Sequence, residues 1–312
     1  MTVIAVAGGT GAVGKTIVEV LTQEANHEVI VLTRKARGND PILTRSQQVD
    51  IDNSDVASLT EVLNEHKVHT IISAIALYSE ETSTSQLNLI KAAENASSTE
   101  RFIPSEYSFI QTEDLLPLDP SIKYFLDAAN LLKSTNLKFT RVIPGFFMDY
   151  WGMPHVRTHL EHLTFGVDMV TCEAAIPGDG NDKIGMTYTY DMAAFIARLL
   201  EMEDWEECSV IVADEITFNE LVELGEEVRR RKFKVVYDSP DKVKEGAVTV
   251  PPMPQGVGYS QEELVEMTAL VDRLILGKTF DFPLEVLANS RFPDLKLVQV
   301  RDFVQKAWEG KA

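Results

Sequence analysis

Short apolar runs alternate with amphipathic stretches through the first half of the chain. Val3–Ala7, Val29–Leu32, Thr70–Ser73 and Arg101–Pro104 read as strands. Ala12–Thr22, Asp55–Glu65 and Thr84–Glu94 fall between them with helical spacing. Strand and helix taking turns in this way predict an α/β fold with a parallel sheet. A helix through Asp127–Lys133 then leads to a strand at Lys138–Ile143, and Pro144-Gly145 breaks the pattern. Asp191 is placed to cap a helix over Met192–Leu200, and Ser209–Ala213 reads as one more strand of the same sheet.

The rhythm is lost between 151 and about 186, which holds Trp151, three histidines and the Gly178–Gly180 turn. The last third reads as mainly helical. Thr217 with Glu220 and Ser260 with Glu263 are capping-box pairs, Ser239-Pro240 opens a short helix, and Gly277 closes the helix that starts at Ser260. Val250–Gly258 is the most evident surface loop. The expected organisation is one domain from 1–150 plus about 187–214, and a smaller, substrate-facing one from about 151–186 plus 215–312.

Hydrophobic residues make up 45% and charged residues 25% of the 312 positions, the balance of a globular enzyme and not of a disordered chain. A formal charge of −19 argues against nucleic acid or an anionic membrane as partner, since both are negative themselves. The first strand is too short for a leader's apolar region, and no apolar run reaches spanning length, so the expected location is the cytoplasm. Cys172 and Cys208 stand alone without metal-ligand spacing, which predicts reduced thiols.

Candidate chemistry begins at the end of the first strand, where the glycines satisfy two phosphate-binding patterns. Gly8, Gly11 and Gly14 form a variant dinucleotide fingerprint, whereas Gly9 to Gly14 with Lys15 and Thr16 form a P-loop pattern. Either would set phosphate at a helix N-terminus, where unpaired N–H groups and the positive end of the helix dipole meet it. A P-loop enzyme also needs a later strand ending in a magnesium-binding aspartate, and the run His69–Ser73 ends in Ser73 and Ala74 instead. The second strand runs into Thr33, Arg34 and Lys35, and cations at that point suit the 2′-phosphate of NADP(H) better than the free hydroxyl of NAD(H).

Beyond these elements, GGTGAVGK near the start, RFIPSEY at Arg101–Tyr107 and PGFFMDYWG at Pro144–Gly152 resemble the NmrA-like and isoflavone-reductase-like group of atypical short-chain dehydrogenases. Gln86, the stretch Ile176–Gly180 and the stretch Phe292–Trp308 extend the resemblance over essentially the whole chain, which looks most like the branch common in fungi. The resemblance implies a Rossmann-type, doubly wound parallel sheet that binds NADP(H), with a smaller C-terminal substrate domain. It puts Thr10, Gly11, Ala12 and Val13 at the pyrophosphate, beside the fingerprint glycines Gly8 and Gly14, and Arg34 at the 2′-phosphate, where Lys35 adds a point charge. Ser73 and Ala74 would follow a sheet strand where its end meets the cofactor. Ser105, Glu106, Pro144 and Phe146 would flank the nicotinamide, and Tyr107, Phe147, Tyr150 and Trp151 would face the substrate. Phe146, Phe147 and Trp151 as plain core aromatics, and Glu106 as a loop-holding carboxylate, are the competing readings.

The chemical step departs from that pattern. Tyr124 lacks a lysine four positions on, where Ala128 stands. The resembling reductases keep a lysine on the helix before the sixth strand, and counting back from Thr140 places it at 125, which is Phe125. Lys123 is two residues early, a rotation of about 200° on a helix, so it fills the role only if the helix begins later or a two-residue insertion precedes Asn136, for which the segment Ser134–Asn136 leaves room. Tyr107, Asp149, Tyr150 and the histidines are other proton donors. His155, His159 and His162 share a face if that stretch is helical, and His155 is the first candidate for acid or base. No cysteine completes a metal set.

The expected function is therefore an NADPH-dependent reductase of a small aromatic or conjugated metabolite of secondary metabolism, a monomer or homodimer. Its rivals are a non-redox enzyme on the same scaffold, catalysing a cyclisation, condensation or isomerisation, and a catalytically silent NADP(H)-sensing regulator.

Overall fold

A computed structural model describes residues 2–24, 26–34 and 40–311. In chain order its strands are β1 (Thr2–Ala7), β2 (His27–Thr33), β3 (Gln47–Asp50), β4 (Val68–Ser73), β5 (Arg101–Ile103), β6 (Lys138–Phe139), β7 (Arg141–Ile143), β8 (Phe146–Phe147), β9 (Val167–Asp168), β10 (Glu173–Pro177), β11 (Lys183–Thr187), β12 (Cys208–Val210), β13 (Asp214–Thr217) and β14 (Lys234–Asp238). The α-helices are α1 (Ala12–Glu24), α2 (Val56–Glu65), α3 (Glu80–Asn95), α4 (Ile122–Lys133), α5 (Asp149–Gly152), α6 (Thr189–Leu200), α7 (Phe218–Arg229), α8 (Pro240–Lys244), α9 (Gln261–Leu276) and α10 (Val300–Trp308).

The chain divides into two compact units. The first comprises 1–107, 111–143 and 190–210, and the second 108–110, 144–189 and 211–312. The chain leaves the first unit at Pro144-Gly145, where the sequence breaks the βα alternation.

In the first unit a six-stranded sheet runs β3-β2-β1-β4-β5-β6, all parallel. Thr140 separates β6 from β7, and β7 pairs in parallel with β12 as a separate two-stranded sheet, so the strand expected at Ser209–Ala213 is not part of the six-stranded one. Successive strand residues point to opposite faces. Ala5, Ala7, Ile30, Leu32 and Ile71 therefore meet Leu59 and Leu63 of α2, Leu89 and Ile90 of α3 and Leu132 of α4 in one core. Ile4, Val6 and Val31 are equally buried and face the other way, where Val18 of α1 packs beside Val31. Helices on both faces make the sheet doubly wound.

The second unit holds more strand than the periodicity predicts. β14, β10 and β9 form one three-stranded sheet, and β13, β11 and β8 another. The predicted capping boxes Thr217–Glu220 and Ser260–Glu263 are formed, and Ser239 caps α8 with Pro240 at its first position. Such caps hold a helix end by about 1 kcal/mol each. The cysteines are free.

Candidate functional site

β1 ends at Ala7 and the chain turns through Gly8, whose φ is +76°, while the Gly11 N–H donates to the Gly8 carbonyl at 2.9 Å. A Cβ at Gly8 would lie 2.5 Å from the Ala74 carbonyl oxygen, and one at Gly14 would lie 2.3 Å from the Gly8 carbonyl oxygen. Those two glycines let β1, β4 and α1 close up. Gly11 is exposed, and its missing Cβ would meet only the Gly8 oxygen, so the turn opens to solvent at that residue. Ala12 and Val13 begin α1, which presents its first N–H groups there.

A cavity of about 210 Å³ lies over this turn, lined among others by Gly8, Thr10, Gly11, Arg34, Asn53 and Ala74. A wider groove of about 600 Å³ continues past Arg34 and Asn53 along Glu80, Glu81 and Asn88. Arg34 is exposed at the end of β2 and borders both. Lys35 lies outside the described residues.

The P-loop alternative does not survive the geometry. Lys15 is paired with Asp40 at 2.8 Å. Thr16 is fully buried, and its hydroxyl donates back to the Ala12 carbonyl at 3.2 Å, so neither side chain serves a nucleotide phosphate or its magnesium.

At the carboxyl end of β4, the Ala74 N–H donates to the Ala7 carbonyl at 2.7 Å. The buried Ser73 accepts a 2.8 Å hydrogen bond from the Tyr107 hydroxyl on its carbonyl, while its own Oγ has no protein partner. Burial pushes the Tyr107 phenol well above its usual pKa. The Ser105 N–H donates to Gln86 Oε1 at 2.9 Å, which fixes the buried amide and leaves Gln86 Nε2 unpartnered. Ser73 Oγ and Gln86 Nε2 are thus a hydroxyl and a donor without protein ligands behind the strand ends.

Glu106 is committed elsewhere than to a nicotinamide. Its buried carboxylate takes a bidentate grip from Arg141, with Nε to Oε2 at 2.6 Å, and accepts the Gln111 N–H at 3.2 Å. Arg141 also donates to the Gln111 carbonyl at 2.9 Å. Burial alone would lower the Arg141 pKa, but the hydrogen bonds and charge of Glu106 more than offset it and raise it.

Lys123 does not meet the requirements set for it. α4 is regular from Ile122, so Lys123 stands in its first turn and the helix does not start late. Its side chain is half exposed and bound to Glu80, which raises its pKa, the opposite of what an acid-base lysine near neutrality needs. Phe125 is half-buried.

In the second unit, Pro144 is buried and Phe146 is the centre of an aromatic cluster. Its ring centroid lies 6.0 Å from Tyr150, 5.4 Å from Trp151, 5.3 Å from Phe165 and 5.3 Å from Phe280. Phe147 and Trp151 are buried, and the Trp151 Nε1 donates to the Phe165 carbonyl at 3.3 Å. Tyr150 packs against Phe165 at 4.7 Å, no hydrogen bond from the described residues reaches its hydroxyl, and burial raises its pKa. Asp149 is fully buried and accepts from Thr189 Oγ1 at 2.6 Å, the Thr189 N–H at 3.0 Å and Thr158 Oγ1 at 2.7 Å. That carboxylate fastens the segment after α5.

The three histidines share no helix face. α5 stops at Gly152, and the chain through 155–162 is irregular. His155 is exposed and sits edge-on to Trp308 at 4.7 Å; burial, then Lys311 and Arg229, lower its pKa. Among the described residues no three His, Cys, Asp or Glu side chains gather as a metal site, and no helix is long and apolar enough to cross a membrane.

A parallel doubly wound sheet, a glycine turn opening onto a helix N-terminus and a cation after the second strand define the first unit as a Rossmann-type dinucleotide-binding domain. The chain belongs to the NmrA-like family, which it matches over residues 1–284. It is 30% identical to the oxidoreductase swnN of Metarhizium robertsii, over 100% of this chain and 98% of that protein. It is 35% identical to the oxidoreductase BOA1 of Botryotinia fuckeliana over 74% of this chain and 77% of that one. The fold is shared with leucoanthocyanidin reductase of Vitis vinifera, solved as a ternary complex, at a TM-score of 0.75 and 17% identity over 97% of this chain and 98% of that one.

Proposed function

We propose that the protein is an NADP(H)-dependent oxidoreductase that reduces a small aromatic or conjugated metabolite of secondary metabolism. The observation that carries this reading is the open cavity over the glycine turn with Arg34 at its rim. The turn's N–H groups and the start of α1 would hold the pyrophosphate, and Arg34 would take the 2′-phosphate by a charge-assisted fork. When bound, the cofactor supplies hydride.

The second unit contributes the apolar surface for the substrate. The half-buried Phe146 and Tyr150 offer ring faces and edges to a planar molecule. Tyr150 is our candidate proton donor, because its phenol stays protonated and its hydroxyl is uncommitted. Tyr107 is spoken for by the Ser73 carbonyl. The oxidoreductase names of swnN and BOA1 support the redox reading over a cyclase or isomerase.

The test is titration with NADPH and NADH, followed by the loss of reduced-nicotinamide absorbance with enones, quinones, imines and aldehydes. Arg34→Ala should weaken NADPH binding by about tenfold or more while leaving NADH binding nearly unchanged, the loss of one charged hydrogen-bonded contact. Tyr150→Phe should lower kcat with the cofactor still bound, and Lys123→Ala should leave the rate near that of the parent. Tight NADPH binding with no oxidation across the panel would move the reading to an NADP(H)-sensing regulator.

A further inference from the structure

We propose that Tyr78 covers the adenosine half of the cofactor, its ring lying on the adenine when NADP(H) is bound. The inference rests on the NADP(H) reading above and adds to it a residue that neither the glycine pattern nor the cations mark.

The cavity over the glycine turn extends to one side of it. Its lining comes from β1, the end of β2, the residues after β3 and the stretch between β4 and α3, and includes Leu32, Arg34, Ile51 and Tyr78. Ser105, Glu106 and Tyr107, which follow β5, do not line it. A dinucleotide sets its pyrophosphate at the first glycine turn and its adenosine ribose at the end of the second strand. Thr10 and Gly11 mark the first of these places and Arg34 the second. The space that continues toward Ile51 therefore falls to the adenine, and Tyr78 borders that same cavity.

The root of Tyr78 is fixed and its ring is bare. The Tyr78 N–H donates to Thr82 Oγ1 at 3.3 Å, beside the capping box that Ser79 and Thr82 form at the start of α3. The residue is nevertheless 76% exposed. No described residue bonds its hydroxyl or stacks on its ring. The exposed Tyr237 and Tyr259 differ in this, since the first donates to Asn219 Oδ1 at 2.8 Å and the second to Glu161 Oε2 at 3.4 Å.

An aromatic face left in water beside a cavity is stabilised by a flat ring that lies on it. Adenine offers such a ring, and stacking asks nothing of it beyond a π-face. Because the main chain of Tyr78 is anchored in the cap of α3, the ring needs only to turn about its side-chain bonds to reach the ligand.

Two experiments on the full chain test this, with 2′,5′-ADP as the adenosine half of the cofactor and NMN as the nicotinamide half. In the first, tyrosines are iodinated and the modified peptides mapped. Bound 2′,5′-ADP should slow the modification of Tyr78 several-fold while Tyr237 and Tyr259 react as before, and NMN should protect none of the three. In the second, isothermal titration is run on two variants whose fold is checked by circular dichroism. Tyr78→Ala should weaken 2′,5′-ADP and NADPH by the same factor, about tenfold, and Tyr78→Phe, which keeps the ring, should bind as the parent does. A Tyr78 that iodinates at the free rate in the 2′,5′-ADP complex overturns the proposal without any variant having to fold. So does a folded Tyr78→Ala protein with the parent's affinity. A parent that binds neither NADPH nor 2′,5′-ADP overturns the cofactor reading, and this proposal falls with it.

Discussion

Lys15 and Asp40 are joined by a 2.8 Å ion pair beside the glycine turn, so the one lysine that would make this turn a P-loop is already engaged by a carboxylate. Lys15→Met should therefore leave NADPH affinity within about threefold of the parent, while a phosphate-gripping lysine would cost far more. The partly buried pair contributes about 0.5 kcal/mol, so the melting temperature should move little. Isothermal titration and a nucleotide-hydrolysis assay check both parts. The expected hydrolysis is none, in parent and variant alike.

The Glu106–Arg141 pair predicts a larger and different loss. Glu106→Ala would leave a buried guanidinium facing Gln111 without its carboxylate, which costs about 3–5 kcal/mol. Replacing both residues with methionine should cost less than that single change, since no unpaired charge remains. Urea denaturation of the two variants measures the difference. A nicotinamide-binding role for Glu106 would instead show as lost cofactor affinity in a fully stable protein.

Asp272 on α9 makes stability depend on pH. It is 4% exposed, and burial, reinforced by the charge of Asp238, pushes its pKa up to about 7. Asp238 is held charged by Lys242 and Thr249, whose hydrogen bonds outweigh its own burial. In the unfolded chain Asp272 titrates near the ordinary value of about 3.9. The folded state thus binds the proton more tightly, and this group's contribution to stability declines as pH rises from about 4 to about 7, with no further change above. Asp272→Asn should be more stable than the parent at alkaline pH by about 2–4 kcal/mol and nearly equal to it in acid. Calorimetric melts at two pH values on either side of the window read this directly.

Five strands of the sheet and its glycine turn were legible because each rests on local signals, an apolar run, a turn residue or a cap, whereas β3, with Gln47, Gln48 and Asp50 in four residues, gave none. The place of Arg34 at the end of β2 was legible for the same reason, since it stands directly after a strand. β9, β10, β11 and β14 were not, since strands of two to five residues containing Pro177, Gly185 or Lys234 carry too little periodicity to register. Their pairing joins segments as distant as Glu173 and Lys234. The competing reading of Glu106 as a loop-holding carboxylate is the one its bond from Gln111 fits, while its ion-pair partner Arg141, 35 residues away, was hidden. Lys123 was a question of helical phase, decided by where α4 begins, and a helix start moves by a residue or two without strong sequence marks.

Phe146 touches the rings of Tyr150, Trp151, Phe165 and Phe280, side chains contributed by three separated stretches of the chain. Trimming or enlarging any one of them shifts the edges on which the others rest. On the proposed reading, in which these rings meet the substrate, a change at one ring alters the packing of its neighbours along with the ligand contact, so libraries that vary these positions jointly would serve directed evolution better than scanning them one at a time.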